Sequence, residues 1–211
     1  MIKFGTGGWR AIIGDEFTKA NVQLLALALA TKMKNEGLAG QDFVIGYDRR
    51  FLSREAAHWA AEVFAAAGIR ALVIDRESPT PLIMYSAAHR GLPYGMAVTA
   101  SHNPAIYNGV KVFMEGGRDA NEALTASFEE YLETLEGSFI PTIPFDDACA
   151  MGRILLIDPM NEYIDNILAA VDTDAIRACG LKVALDPMYG VSKTALQTIL
   201  LTTRCEVDVI H

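Results

Sequence analysis

Short apolar runs alternate along this chain with helix-length stretches, and most of the switches are marked by a capping residue or a glycine. Phe43-Val44-Ile45-Gly46-Tyr47 reads as a strand closed by Asp48-Arg49-Arg50. A helix follows from Ser53, its N-cap, to Ala67, and Gly68 stops it. Ala71 to Asp75 is the next strand. Thr80-Pro81 then opens a second helix, with threonine as cap and proline in the first turn, ending near Gly91. Gly95-Met96-Ala97-Val98 continues as a strand to Thr99, and Val110 to Met114 is one more, turned by Gly116-Gly117. Asn121 to Leu135 reads as a helix. Strand, helix, strand, helix, strand is the signature of a sheet with helical crossovers, largely parallel. The pattern predicts an α/β chain, a three-layer α/β/α domain with a mixed, mostly parallel sheet and helices on both faces. Strands near 43–47, 71–75, 95–99 and 110–114 are expected to share that sheet.

Further on, Pro141, Pro144, Asp146 and Asp147 interrupt any period, so 137–152 reads as a connecting segment. Met160 to Val171 is a further helix. A weak repeat follows. Val44 to Asp48, Ser53, a helix and Ala71 to Ile74 have a counterpart in Val183 to Asp186, Ser192, a helix through Leu201 and Val207 to Ile210. This points to a second α/β domain, with residues 1–175 forming the first and 176–211 the beginning of an incomplete second. Two strands and one helix cannot cover both faces of a sheet.

Composition narrows the function classes. With 211 residues, half of them hydrophobic and spread throughout, the chain has length for a proper core. A net charge of −8 argues against a nucleic-acid scaffold, which would carry a basic stripe. A small anionic substrate stays open, because local Arg and Lys decide that. The apolar run Leu24–Ala30 is far too short to cross a bilayer, and the first residues do not resemble a signal peptide. Cys149, Cys179 and Cys205 are odd in number and widely spaced, which predicts free thiols in a reducing cytoplasm.

Thr99-Ala100-Ser101-His102-Asn103-Pro104 ends the strand before it in a hydroxyl, an imidazole, an amide and a turn-forming proline. The carboxyl ends of strands are where α/β folds build their sites, and the Asn103-Pro104 step turns the chain away from helix. Ser101 is therefore expected on a tight exposed loop. The residues themselves leave two readings, a turn shaped by Ser101 and Asn103 or a nucleophile with its base. A hydrolase elbow is absent, and adjacent residues on an extended segment would point Ser101 and His102 apart. Phe4-Gly5-Thr6-Gly7-Gly8-Trp9-Arg10 is either a turn or a loop whose amides approach a phosphate clamped by Arg10. Lys111, inside an apolar strand, must point to solvent, to a carboxylate or to a ligand. Asp172-Thr173-Asp174 alternates carboxylates in a way that suits Mg²⁺, but at a helix end it reads first as a cap. His58, His89 and His211 show no metal-ligand spacing.

Taken together, four segments resemble the α-D-phosphohexomutase family of phosphoglucomutases and phosphomannomutases. They are Phe4 to Arg10, Gly46-Tyr47-Asp48-Arg49-Arg50, Thr99 to Pro104 and Tyr107-Asn108-Gly109-Val110-Lys111, in matching order and spacing. The resemblance implies that Ser101 carries a transferable phosphate. That phosphate would pass to a hydroxyl of a hexose phosphate, and the resulting hexose bisphosphate would return its other phosphate to the serine. The carry-over makes Ser101, His102, Arg10 and Lys111 catalytic, with Thr6, Gly7, Arg10 and Asn103 on the substrate. Arg10, Ser101, His102 and Lys111 are expected to meet in one open cleft. Mg²⁺ would bind through the Ser101 phosphate, with its other ligands outside this chain.

Full-length members of the family have four domains, and the later ones carry the metal loop, the sugar-reading loop and a phosphate loop. The resemblance thus implies further domains packing on this one, no nucleic-acid or membrane partner, a cytoplasmic location, and inactivity of this chain by itself as a mutase. Thr99, where glucosamine-phosphate relatives usually carry serine, favours glucose or mannose phosphate. A second reading, of a different class, is a non-catalytic module that keeps the fold and acts only by association.

Overall fold

The computed structural model describes residues 2–5 and 8–211. They form two compact units, residues 1–157 and 158–211. Thr6 and Gly7, named above as substrate-binding, lie outside the described residues.

The first unit opens with β1 (Trp9–Ile12), α1 (Lys19–Asn35), β2 (Phe43–Tyr47), α2 (Ser53–Ala66), β3 (Ala71–Ile74), α3 (Thr80–His89) and β4 (Tyr94–Val98). It continues with β5 (Tyr107–Met114), a 3-10 turn Glu115–Gly117, β6 (Arg118–Asp119), α4 (Glu122–Leu135), α5 (Phe145–Ala150) and β7 (Ile154–Ile157). Among the described residues the strands make one seven-stranded sheet, in the order β1-β5-β4-β2-β3-β7 with β6 on β5. Strands β4, β2, β3 and β7 run parallel to one another, while β5 is antiparallel to β1, β4 and β6. The four expected strands share this sheet. Three strands lie outside the sequence expectation: β1, just after the glycine-rich opening, the two-residue β6, and β7, the apolar run between Arg153 and Asp158.

Alternate strand residues face opposite layers. Phe43, Ile45, Val73, Met96, Val98 and Val112 join one buried cluster with α1, α2 and α4. Phe43 stacks on Phe64 of α2 with ring centroids 4.1 Å apart. On the other face lies α3, with Leu82, Ile83 and Ala87 buried. Its close approach depends on a missing side chain, since a Cβ on Gly46 would collide with Ile83. Helices thus cover both faces.

Local signals placed the helices better than their caps. Ser53 is the first helical residue and not the cap. Leu52, at φ 63°, holds the cap position, and the Ser53 hydroxyl donates instead to Asp48 Oδ1 at 2.8 Å. Pro79 replaces Thr80 in the same way at α3. The connecting segment is partly built, because α5 packs its Phe145 ring on His58 of α2 at 3.7 Å.

The second unit contains α6 (Met160–Ala170), α7 (Thr173–Cys179), β8 (Lys182–Leu185), α8 (Lys193–Thr202) and β9 (Glu206–Val209). Strands β8 and β9 pair in parallel, as the repeat suggested, and both alternate exposed with half-buried residues. Asp172 caps α7, accepting the Ala175 amide at 2.9 Å. Helix α6 packs with α8, so the units divide at 157/158 where the sequence expectation placed the boundary at 175/176. The cysteines are free thiols, and among the described residues no helix is long and apolar enough to cross a membrane.

Candidate functional site

The chain leaves β2 through α2 to β3 on one side, then crosses through α3 to β4 on the other. Strands β2 and β4 are nonetheless parallel neighbours, paired from Val44↔Gly95 to Tyr47↔Val98. A crevice opens at the carboxyl ends of strands whose connections diverge in this way. Two polar segments emerge there side by side, Asp48-Arg49-Arg50 from β2 and Thr99–Pro104 from β4, and the Asp48 amide still bonds the Val98 carbonyl at 3.1 Å.

Ser101 is exposed, as expected, and turns with φ 55°, in the left-handed region that non-glycine residues rarely adopt. Its neighbours hold it there. The Ser101 amide donates to Thr99 Oγ1 at 3.0 Å, Thr99 Oγ1 donates to Asp48 Oδ2 at 2.7 Å, and the Asn103 amide closes the turn on the Ala100 carbonyl at 3.0 Å. This conformation corrects the expectation that Ser101 and His102 point apart. That expectation assumed extended backbone, whereas the turn brings Ser101 Oγ to 3.3 Å from His102 Nδ1, the long end of hydrogen bonding.

Beneath the loop lies Arg50. Its Nη2 donates to the carbonyls of Ser101 at 2.7 Å and Asn103 at 2.6 Å, and its Nη1 to those of Pro104 and Tyr107, both at 3.0 Å. Asp48 balances the charge, with Oδ2 3.6 Å from Arg50 Nε and Oδ1 2.9 Å from the Arg50 amide. Asn108, fully buried, ties the start of β5 to the same corner. Its Nδ2 donates to the Phe51 carbonyl at 3.0 Å and to Ser53 Oγ at 2.9 Å.

Arg10 lies on β1 opposite Gly109, on the sheet face away from the buried Trp9 and Ala11. A Cβ on Gly109 would meet Arg10 Cα at 3.0 Å and the Thr99 carbonyl at 3.1 Å, and would collide with the Trp9 carbonyl. One glycine's width therefore separates the Arg10 backbone from the root of the serine loop. Lys111 sits two residues further along β5, opposite Ala97, on the same face as Arg10. Its ammonium pairs with Asp119 at 2.9 Å. Asp119 is aligned with Phe113, further along β5 from the serine loop, so the ion pair draws Lys111 away from Ser101.

Asp48, Arg50 and Asn108 had no place in the expected site. Their signal was present in the sequence, since β2 and β4 both end in polar residues, but only strand order makes those ends adjacent. Two other features limit what the corner does unaided. A groove of about 690 Å³, lined by Lys32, Glu36, Tyr94, Met114 and Ser127 among others, lies where β4 begins and not where the serine loop ends it. Among the described residues no group of three or more His, Cys, Asp or Glu side chains is placed to hold a metal. A hard cation such as Mg²⁺ requires about six oxygens, which these residues do not supply.

Residues 1–138 match the family model described as phosphoglucomutase/phosphomannomutase, alpha/beta/alpha domain I. A protein from Komagataeibacter xylinus named phosphoglucomutase is 30% identical, over 94% of this chain and 38% of its own length. A Sulfurisphaera tokodaii protein named phosphoglucosamine/phosphogalactosamine mutase is also 30% identical, over 99% of this chain and 44% of its own. Among solved structures, a Thermus thermophilus protein whose phosphomannomutase name is provisional superposes with a TM-score of 0.86 at 27% identity. That match covers 99% of this chain and 45% of the other. The chain thus spans less than half the length of each of these proteins.

Proposed function

The chain belongs to the phosphoglucomutase/phosphomannomutase family, and from that premise we propose that it is the phosphoserine-bearing part of a mutase acting on hexose phosphates. The observation that carries the reading is Ser101 itself, an exposed hydroxyl at the carboxyl end of β4 whose amide and carbonyl are both held by hydrogen bonds. Phosphoryl transfer depends on positioning and on neutralising the charge of the moving group more than on covalent help from the protein. A hydroxyl fixed at a sheet edge meets the first need.

The cycle is an exchange of one phosphoryl group. Phosphorylated Ser101 gives its phosphoryl to a free hydroxyl of a hexose monophosphate, whose proton passes to the departing Ser101 Oγ, leaving a hexose bisphosphate and a free serine hydroxyl. The bisphosphate reorients and returns its other phosphoryl to Ser101 Oγ, so the sugar leaves as its positional isomer. In the return step Ser101 Oγ–H must lose a proton, and His102 Nδ1, 3.3 Å away, is assigned as its acceptor. Arg10 supplies fixed positive charge to the phosphate, and Lys111 does so once released from Asp119. Mg²⁺ on the phosphoserine is part of the family expectation. The described residues lack a ligand set for it, and its other ligands would come from outside this chain.

The relatives are named for glucose and for amino-sugar phosphates, and the substrate is accordingly given as a class, an aldohexose phosphate. Location in the cytoplasm and further domains packing on this one belong to the same proposal.

The test is incubation of the full gene product with glucose 1,6-bisphosphate or mannose 1,6-bisphosphate, followed by intact-mass analysis and a coupled mutase assay. One phosphate on Ser101, lost together with turnover in Ser101→Ala, is the expected result. Turnover that survives Ser101→Ala, or the absence of any phosphate on Ser101 with either sugar, overturns the proposal. The second of those results would leave association as the chain's role.

A further inference from the structure

We propose that Arg50 is the positioning residue of the phosphoryl-transfer site, a guanidinium that sets the attack geometry of Ser101 by gathering the carbonyls of its loop from below. The inference rests on the phosphoserine reading above and adds to it a residue that never touches the sugar. Four carbonyl oxygens, those of Ser101, Asn103, Pro104 and Tyr107, converge on the two terminal nitrogens of one side chain at 2.6 to 3.0 Å. Brought together without a donor, four carbonyl dipoles would repel one another and lie partly withdrawn from water. A planar guanidinium carries five N–H groups in a rigid fork and meets this demand, whereas an ammonium offers three donors from a single point.

The clamp acts on both sides of the nucleophile. The Ser101 carbonyl is held by Arg50 Nη2, and its amide is held by Thr99 Oγ1, which in turn rests on Asp48 Oδ2. Asp48 and Arg50 are themselves paired, so one ion pair at the end of β2 fixes both peptide groups flanking Ser101. A non-glycine residue persists at φ 55° only where its surroundings impose that conformation. The consequence is directional. With its carbonyls turned inward to Arg50, the loop presents the Ser101 side chain outward and keeps carbonyl oxygens away from an incoming anion.

Arg50→Ala and Arg50→Lys in the full gene product test this. The readouts are the rate of Ser101 phosphorylation by hexose bisphosphate, its dependence on bisphosphate concentration, thermal unfolding, and hydrogen exchange over residues 99–107. Both variants are expected to lose roughly 100-fold in the phosphorylation rate, the scale of a misplaced reacting group. The half-saturating concentration should stay within about threefold, because Arg50 does not contact the ligand and acts on positioning. Exchange should quicken in 99–107 and stay as in the wild type in α1 and β3. A phosphorylation rate near wild type in either variant, or a loss matched by global unfolding and faster exchange throughout, overturns the proposal. If the wild-type protein takes no phosphate on Ser101, the functional reading fails. The clamp is then judged on exchange alone, where quickening confined to 99–107 upholds its structural part and unchanged exchange refutes it.

Discussion

Asp48 and Thr99, 51 residues apart in sequence, meet at 2.7 Å, with the threonine hydroxyl donating to Oδ2. The same hydroxyl accepts the Ser101 amide, so Thr99 links a carboxylate at the end of β2 to the backbone of the serine loop. Thr99→Val keeps the shape and removes both bonds, leaving the Ser101 amide without its partner and Asp48 Oδ2 with only the Arg50 guanidinium 3.6 Å away. The expected cost is about 1–3 kcal/mol in urea unfolding. Thr99→Ser, which keeps the hydroxyl, should recover most of it. Equal stabilities for the valine and serine variants would show that the link contributes nothing.

Two glycines separate backbone from side-chain crowding. A Cβ on Gly109 collides with the Trp9 carbonyl and lies 3.1 Å from that of Thr99, so β1, β5 and the loop root must all shift. At Gly46 the collision is with the side chain of Ile83, whose χ1 is restricted in a helix, so relief comes from a shift of α3 alone. Gly109→Ala is expected to destabilise by about 2–3 kcal/mol and Gly46→Ala by less, within the usual overpacking range. Thermal unfolding of the two variants checks the order.

Acid should weaken the first unit partly through His58. Burial, with the Arg54 charge adding to it and Glu55 and Asp146 opposing, holds its imidazole below the ordinary histidine range. The unfolded chain therefore binds a proton that the folded chain resists, and stability falls as pH drops below about 6.5. His58→Phe, which preserves the stack on Phe145, should show a shallower loss of urea midpoint between pH 7.5 and 5 than the wild type. Parallel profiles would remove His58 from the pH response.

Lys111 and Asp119 form a partly exposed pair, with 20% and 49% of their side-chain surfaces accessible. Such a pair contributes about 0–1 kcal/mol, so Asp119→Asn should unfold near the wild-type midpoint. If Lys111 serves the phosphate, Lys111→Met slows Ser101 phosphorylation in the full gene product on the order of 100-fold. Asp119→Asn, which frees the ammonium, leaves that rate equal or higher. A slower rate in Asp119→Asn would mean that the ion pair positions Lys111 and does not restrain it.

Much of the fold was legible because its signals are local. Apolar runs of strand length, glycine stops and the Asn121 cap act over a few residues, and β2, β3, β4, α2, α3 and α4 came within a few positions of their reading. The second unit's strand–helix–strand segment was legible in the same way. Strand β1 escaped because four residues just after a glycine-rich stretch are too few to show a period of their own. The strand exists because β5 offers an edge to pair with. Strand β7 likewise takes its place from the edge of β3.

By itself the sequence determined the class of the fold and the chemistry of the serine loop. Period, capping and turn propensities are written in neighbouring residues, and Thr99 to Pro104 announces its polar groups directly. Only the tertiary structure decided which groups serve that loop. Strand β2 lies beside β4 although β3 and two helices separate them in the chain. That adjacency puts Asp48 and Arg50 beneath Ser101 and gives the serine its left-handed turn. Such meetings depend on strand order and on the paths of the crossovers, which are settled by burying both faces of the sheet at once and leave no mark on any single stretch of sequence.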